Sequence, residues 1–216
     1  MRTLNHDSQS AISPESALKL LKEGNERFIS NLKYNRNLLQ QVNETRDGQW
    51  PFAAILSCID SRTSAELIFD QGLGDIFSIR IAGNIINEDI LGSLEFATKV
   101  AKSKLIVVLG HSKCGAIRGA CDNVQMGNLT GLLNKIQPAI EKELSIMENR
   151  NSGNAEFVEK VAEINVKNVT ASISQHSDLL KGMIEKGEIG IVGAMYEVET
   201  GKVHFYDQVS FKNLIP

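Results

Sequence analysis

The sequence predicts an α/β fold built on a central, mostly parallel β-sheet flanked by helices. Two apolar runs, Ala53-Ala54-Ile55-Leu56 and Leu105-Ile106-Val107-Val108-Leu109, are short and bounded by turn residues, which is the pattern of buried strands. Segments of helical periodicity lie between and after them. Cys58 and Asp60 follow the first run and His111 and Cys114 follow the second. Polar side chains therefore stand at two strand carboxyl ends, where open parallel sheets place their sites.

Ser13 followed by Pro14 and Glu15 is a helix start, and Ala17, Leu18, Leu20 and Leu21 give the helix an apolar stripe. Asn25 to Arg46 is polar and helical in part, suited to lie over a partner subunit; the helical arm runs from about residue 13 to 46. After the first strand and the Cys58 loop come a helix from about Ser64 to Phe69, a short strand from Ile76 to Ile81, and the Ala82-Gly83-Asn84 turn. Gly92 to Lys102 is predicted helical, Leu105 to Leu109 is the central strand, and Cys114 opens another helix. Asp122 to Gly131 carries loop signals, and Leu132 to Met147 is amphipathic. A long helix spans about Ala155 to Lys186, with an interruption near Ser177. The chain closes in a hairpin: Ile189 to Val198, a Glu199-Thr200-Gly201-Lys202 turn, and Val203 to Tyr206.

Composition is that of an ordinary globular protein, with 42% hydrophobic and 23% charged residues in 216. That length suits one domain over residues 1–216. A net charge of -3 with scattered Lys and Arg offers no field for a nucleic-acid backbone. No apolar run reaches membrane-spanning length, and Met1 to Ser10 has no apolar signal core. Three cysteines, an odd count, argue against a disulfide framework and fit a reducing compartment, so a cytoplasmic location is expected.

Cys58, His111 and Cys114 supply two thiolates and an imidazole, a donor set that favours zinc over calcium, magnesium or manganese. The first segment lacks a Cys-x-x-Cys knuckle, so a structural zinc ribbon is disfavoured. A fourth coordination position is left to Asp60 or to water. Arg62, two residues beyond Asp60, has the planar fork that pairs bidentately with a carboxylate. Two thiolates neutralise the zinc charge, so a bound water is less acidic than on a three-histidine site, and an acceptor such as Asp60 matters more.

Cys58-x-Asp60-x-Arg62 and His111-x-x-Cys114-Gly115 resemble the zinc and dyad motifs of the β-class carbonic anhydrases. The resemblance extends from about Ser13 to about Val209, through Asn25-Glu26-Arg27-Phe28, Phe77 to Asn84, Gly92 to Ala97 and Gly190 to Tyr196. It implies a bacterial enzyme, a lyase (carbonate dehydratase), for reversible hydration of carbon dioxide to bicarbonate and a proton. Hydroxide generated at the zinc would attack, with Asp60 and Arg62 as catalytic dyad. In the family's closed, inactive form the aspartate itself ligates zinc. The resemblance also places Gln49, Phe77, Ala82, Phe96 and the Gly115 amide around the substrate, some of them from a neighbouring subunit of a homodimer or homotetramer. Phe96 stands where plant-type relatives carry Tyr. Ile55 stands where members regulated by a second bicarbonate site carry Trp, although Arg80 is present, which favours the open, plant-like subtype. Hydrolysis of carbon disulfide or carbonyl sulfide on the same fold, or non-catalytic zinc or bicarbonate binding, are the alternative readings. Cys121 is expected in the core, and His6, His176 and His204 at the surface or capping helices.

Overall fold

A computed structural model of the chain describes residues 3–206; Met1, the far limit of the resemblance at Val209 and the remaining C-terminal residues lie outside the described residues. Among the described residues five strands form one sheet: β1 (Ala53–Ser57), β2 (Ile76–Arg80), β3 (Leu105–His111), β4 (Gly190–Tyr196) and β5 (Val203–Phe205). Their order is β2-β1-β3-β4-β5, parallel except for the antiparallel β4–β5 pair. The hairpin turn is closed by the Glu197 N–H to the Lys202 carbonyl at 2.9 Å, with Gly201 at φ 77°, where a side chain would be strained.

Side chains alternate across the sheet, so β1 and β3 each feed two cores. Ala53, Ile55, Leu105, Val107 and Leu109 face a core completed by α2 (Pro14–Ile29) and α4 (Ala65–Ile68). Ala54, Leu56, Cys58, Ile106 and Val108 face the other, completed chiefly by α5 (Glu88–Glu95), α6 (Gly115–Cys121), α9 (Ala155–His176) and α10 (Asp178–Glu185). Strands buried on both faces read as continuous apolar runs, which is why β1 and β3 were legible.

The N-terminal arm divides in two. A short α1 (His6–Ser10) precedes it. In α2 the Ser13 hydroxyl accepts the Ser16 N–H at 3.2 Å, and Ala17, Leu18 and Leu21 bury against the chain's own sheet. By contrast α3 (Leu38–Thr45) anchors through Gln41, whose Oε1 accepts the Leu73 N–H, while Leu38, Leu39 and Val42 stay exposed.

Three segments differ from the sequence expectation. The loop expected over Asp122 to Gly131 ends at Met126, where α7 (Gly127–Leu133) begins. The amphipathic stretch Leu132 to Met147 is helical only in part. Pro138, lacking an N–H, sits at the start of α8 (Gln137–Lys142), and the chain then leaves the helix at Glu143. The Glu143 carboxylate accepts the Ser145 and Ile146 N–H groups, and the Arg150 guanidinium donates to the carbonyls of Ile140, Glu143 and Ile146. Those side-chain bonds replace the helical ladder. The predicted Gly92 to Lys102 helix starts earlier, at Glu88, because Asn87 caps it, and closes through a wider π turn over Phe96–Val100. The interruption expected near Ser177 is present: its hydroxyl caps α10 and donates to Glu95 at 2.6 Å.

Candidate active site

Register brings the two motifs together. Ser57 of β1 pairs with Leu109 of β3, so Cys58, one residue past β1, stands beside Gly110-His111 at the end of β3. Gly110 must be small: a Cβ there would lie 2.5 Å from Val166 and 2.9 Å from the Met195 sulfur. Lys113, at φ 57°, turns the chain back so that Cys114 stands at the N-terminus of α6. Its amide donates to Glu159 of α9 at 2.8 Å, which pins that turn.

The Cys58 and Cys114 sulfurs lie 3.9 Å apart, far beyond a disulfide bond. Tetrahedral zinc, with zinc–sulfur bonds of about 2.3 Å, would separate two sulfurs by ~3.8 Å. The ligand atoms of Cys58, His111 and Cys114 all fall within 4.8 Å of one another, and all three residues are buried. The His111 Nδ1 lies 2.9 Å from the Ser112 carbonyl, which can only accept, so Nδ1 carries the proton. That leaves Nε2 as a bare lone pair, buried and without a hydrogen-bond partner among the described residues. A buried orphan lone pair beside two thiols is the donor arrangement a soft divalent metal requires, and the residues fit zinc.

The thiols are electronically unequal. The Cys114 hydrogen bond pulls the Cys58 thiol down to about 4 against opposing burial, helped by His111 and by the N–H groups of Gly83 and Asp60. Cys114, which shares that hydrogen bond and is itself buried, is pushed well above the usual thiol range. The Gly83 N–H is 3.4 Å from the Cys58 sulfur, and Asn165 of α9 donates to the Gly83 carbonyl at 2.9 Å, holding this turn in place.

Asp60 and Arg62 form the bidentate pair predicted from their spacing: Nε to Oδ1 at 2.9 Å and Nη2 to Oδ2 at 2.8 Å. Hydrogen bonding to Arg62 overcomes desolvation and holds the Asp60 carboxyl well below the usual carboxylate range. One Asp60 oxygen comes within 4.0 Å of His111 Nε2, so the dyad borders the metal group.

The residues expected around substrate are more scattered within one chain. Ala82 is half-buried beside Gly83, and Gly115 opens α6 with nothing within 4 Å of a would-be Cβ. Phe77 and Phe96 pack edge to face at 6.3 Å and share a groove of about 550 Å³ with Gly92 and Ser93. Gln49 lines a different groove, with Val42, Thr45 and Leu73. Ile55 is fully buried in the α2-side core. Cys121 is half-buried rather than in the core proper, although burial still raises its thiol to about 11. His6 and His176 are exposed, and His204 pairs with Glu197 at 3.0 Å.

Sequence reasoning missed Thr63, Asn165 and Glu159 as supports of the site, and assigned Arg80 no role in it. Asn165 had a legible signal, as a polar residue on the buried stripe Val161, Ala162, Val166 and Val169 of α9. Glu159 and Thr63 had none, because their partners are backbone groups: one far away in sequence for Glu159, and carbonyls that only the local turn aims at the Thr63 hydroxyl.

A family model described as carbonic anhydrase matches residues 53–203, a span that contains the metal group and the dyad. Carbonic anhydrase 2 of Mycobacterium tuberculosis is 36% identical over 201 residues, covering 91% of this chain and 95% of that protein. The carbonic anhydrase of Mycolicibacterium smegmatis is 35% identical over 194 residues, covering 88% and 92%. The crystal structure of the β-carbonic anhydrase CafA of Aspergillus fumigatus superimposes with a TM-score of 0.68 at 28% identity, over 89% of this chain and 90% of that one. With the mostly parallel sheet, the Cys-His-Cys group and these matches in agreement, the chain belongs to the carbonic anhydrase family, in its β class, and is an enzyme of that family.

Proposed function

We propose that this protein catalyses the reversible hydration of carbon dioxide to bicarbonate and a proton, on zinc held by Cys58, His111 and Cys114. The observation that carries the reading is the orphaned His111 Nε2, buried beside the two sulfurs while Arg62 engages both oxygens of Asp60. Zinc bound there would supply Lewis acidity, lowering the pKa of a water so that it can attack carbon dioxide.

This chain's own residues do the rest. Asp60, kept ionised by Arg62, can only accept a hydrogen bond, so it accepts one from the attacking oxygen and turns that oxygen's lone pair toward the substrate carbon. Arg62 holds the carboxylate away from the metal position, the arrangement of an open site. Ala82 and the Gly115 amide border the metal group, and Gln49, Phe77 and Phe96 complete a largely apolar pocket in the assembled oligomer. The single chain, one domain over its 216 residues, works as a homodimer or homotetramer in the cytoplasm. The exposed Leu38, Leu39 and Val42 of α3 support such an interface.

A carbon dioxide hydration assay with metal analysis tests the proposal. The expected result is one zinc per chain and turnover that rises toward alkaline pH. A zinc-loaded protein that cleaves carbon disulfide or carbonyl sulfide and leaves carbon dioxide unreacted would replace the reading. A fully active monomer in sedimentation at assay concentration would remove the oligomer.

A further inference from the structure

We propose that Arg80 is a positioning residue for the Asp60–Arg62 dyad: by holding the carbonyls of Cys58 and Asp60 it fixes the turn that sets metal ligand and dyad carboxylate side by side. The inference rests on the reading of this site given above.

Arg80 ends β2, directly across from Ser57, the residue before Cys58. Its Nε donates to the Cys58 carbonyl at 3.0 Å and its Nη2 to the Asp60 carbonyl at 2.5 Å. No carboxylate pairs with this guanidinium among the described residues; its donors go to those two main-chain carbonyls and, at 3.5 Å, to the Thr63 hydroxyl. The turn needs such a hold. Past Ser57 it leaves the sheet ladder, and Ile59, Ser61 and Arg62 are exposed, so packing does little to restrain it. The buried Thr63 hydroxyl lies 2.8 Å from the Asp60 carbonyl and 3.1 Å from that of Cys58, but has one proton for both. The guanidinium fork brings two separate N–H groups from a neighbouring strand, and planarity fixes their spacing. Arg80 thus ties a metal ligand and the dyad acid to one rigid element.

The test compares Arg80→Ala and Arg80→Lys with the parent, each loaded with zinc or cobalt(II). Metal content, kcat and KM, and X-ray absorption or cobalt visible spectra are measured. The expected result is one metal per chain and a kcat lowered about 10–100-fold, as for outer-shell partners of a metal site, with KM little changed. The spectra should gain a carboxylate oxygen as Asp60 slips from Arg62. Lysine, with one point donor, should fall between. If Arg80→Ala fails to fold, Arg80→Lys decides. Parental kcat and parental spectra in the variants would overturn the proposal, as would loss of metal and thermal stability with normal turnover per bound metal. Should the parent show no carbon dioxide hydration, the function reading fails while the spectra still judge Arg80.

Discussion

Arg62 binds both carboxylate oxygens of Asp60 from only two residues away, and its own N–H donates to Oδ1 at 3.0 Å. The side chain of Arg62 is about half exposed, so the pair contributes little to stability. Its consequence is geometric: it selects where the carboxylate points, 4.0 Å from His111 Nε2.

Replacing Arg62 with Ala should therefore leave folding and zinc content intact while lowering kcat on the order of 10–100-fold. Asp60, freed of its partner, gains access to the metal. Near-parental turnover across the pH range, measured by stopped-flow hydration, would show that the pair is not the gate.

Cys114→Ser removes a soft donor from the three-residue group. Zinc affinity should drop by more than the ~10–100-fold typical of an outer-shell partner. Metal analysis after dialysis against a chelator reads the result, and full zinc retention with unchanged coordination would end the ligand assignment.

Asp70 gives a pH prediction away from the site. Its side chain is 2% exposed and pairs with Arg27 and Arg36, and Arg27 in turn stacks on Tyr34. Burial alone would raise its carboxyl, but the bonds from Arg27 and Arg36 win and hold it below the usual range. A depressed carboxylate contributes stability above the unfolded pKa of about 3.9, and that contribution is lost as pH falls through the folded value. Asp70→Asn should cost about 3 kcal/mol at neutral pH, because it strands the buried Arg36 charge. The gap between variant and parent in denaturant midpoints should narrow below about pH 4. A gap independent of pH would refute the linkage.

Gly24 lies where α2 crosses the end of α4: a Cβ there would sit 1.8 Å from the Phe69 carbonyl oxygen, a backbone atom that cannot rotate aside. Gly24→Ala should destabilise by about 3 kcal/mol, at the upper end for overpacking, read as a lowered Tm. An unchanged Tm would mean that α2 is free to shift on the sheet.

The strands, the Ser13 helix start, the Ser177 break and the closing hairpin were legible because local rules decide them: apolar runs, capping side chains and turn residues act within a few positions. The helix boundaries between residues 122 and 150 were not. There Glu143 and Arg150 capture backbone groups that the apolar pattern assigns to a helix, a competition that pattern alone cannot weigh.

Within the site, the residue types and spacing of Cys58, Asp60, Arg62, His111 and Cys114 already specified two thiolates, an imidazole and a forked carboxylate pair, because donor chemistry belongs to the side chain itself. Tertiary structure alone decided which atoms converge. Strand register put Cys58 beside His111, the Ser112 carbonyl chose the histidine lone pair that remains free, and Asn165 and Arg80 reached from α9 and β2 to hold the turns. Those partners are main-chain carbonyls, which every residue carries alike, so nothing in the sequence marks them until the chain is folded.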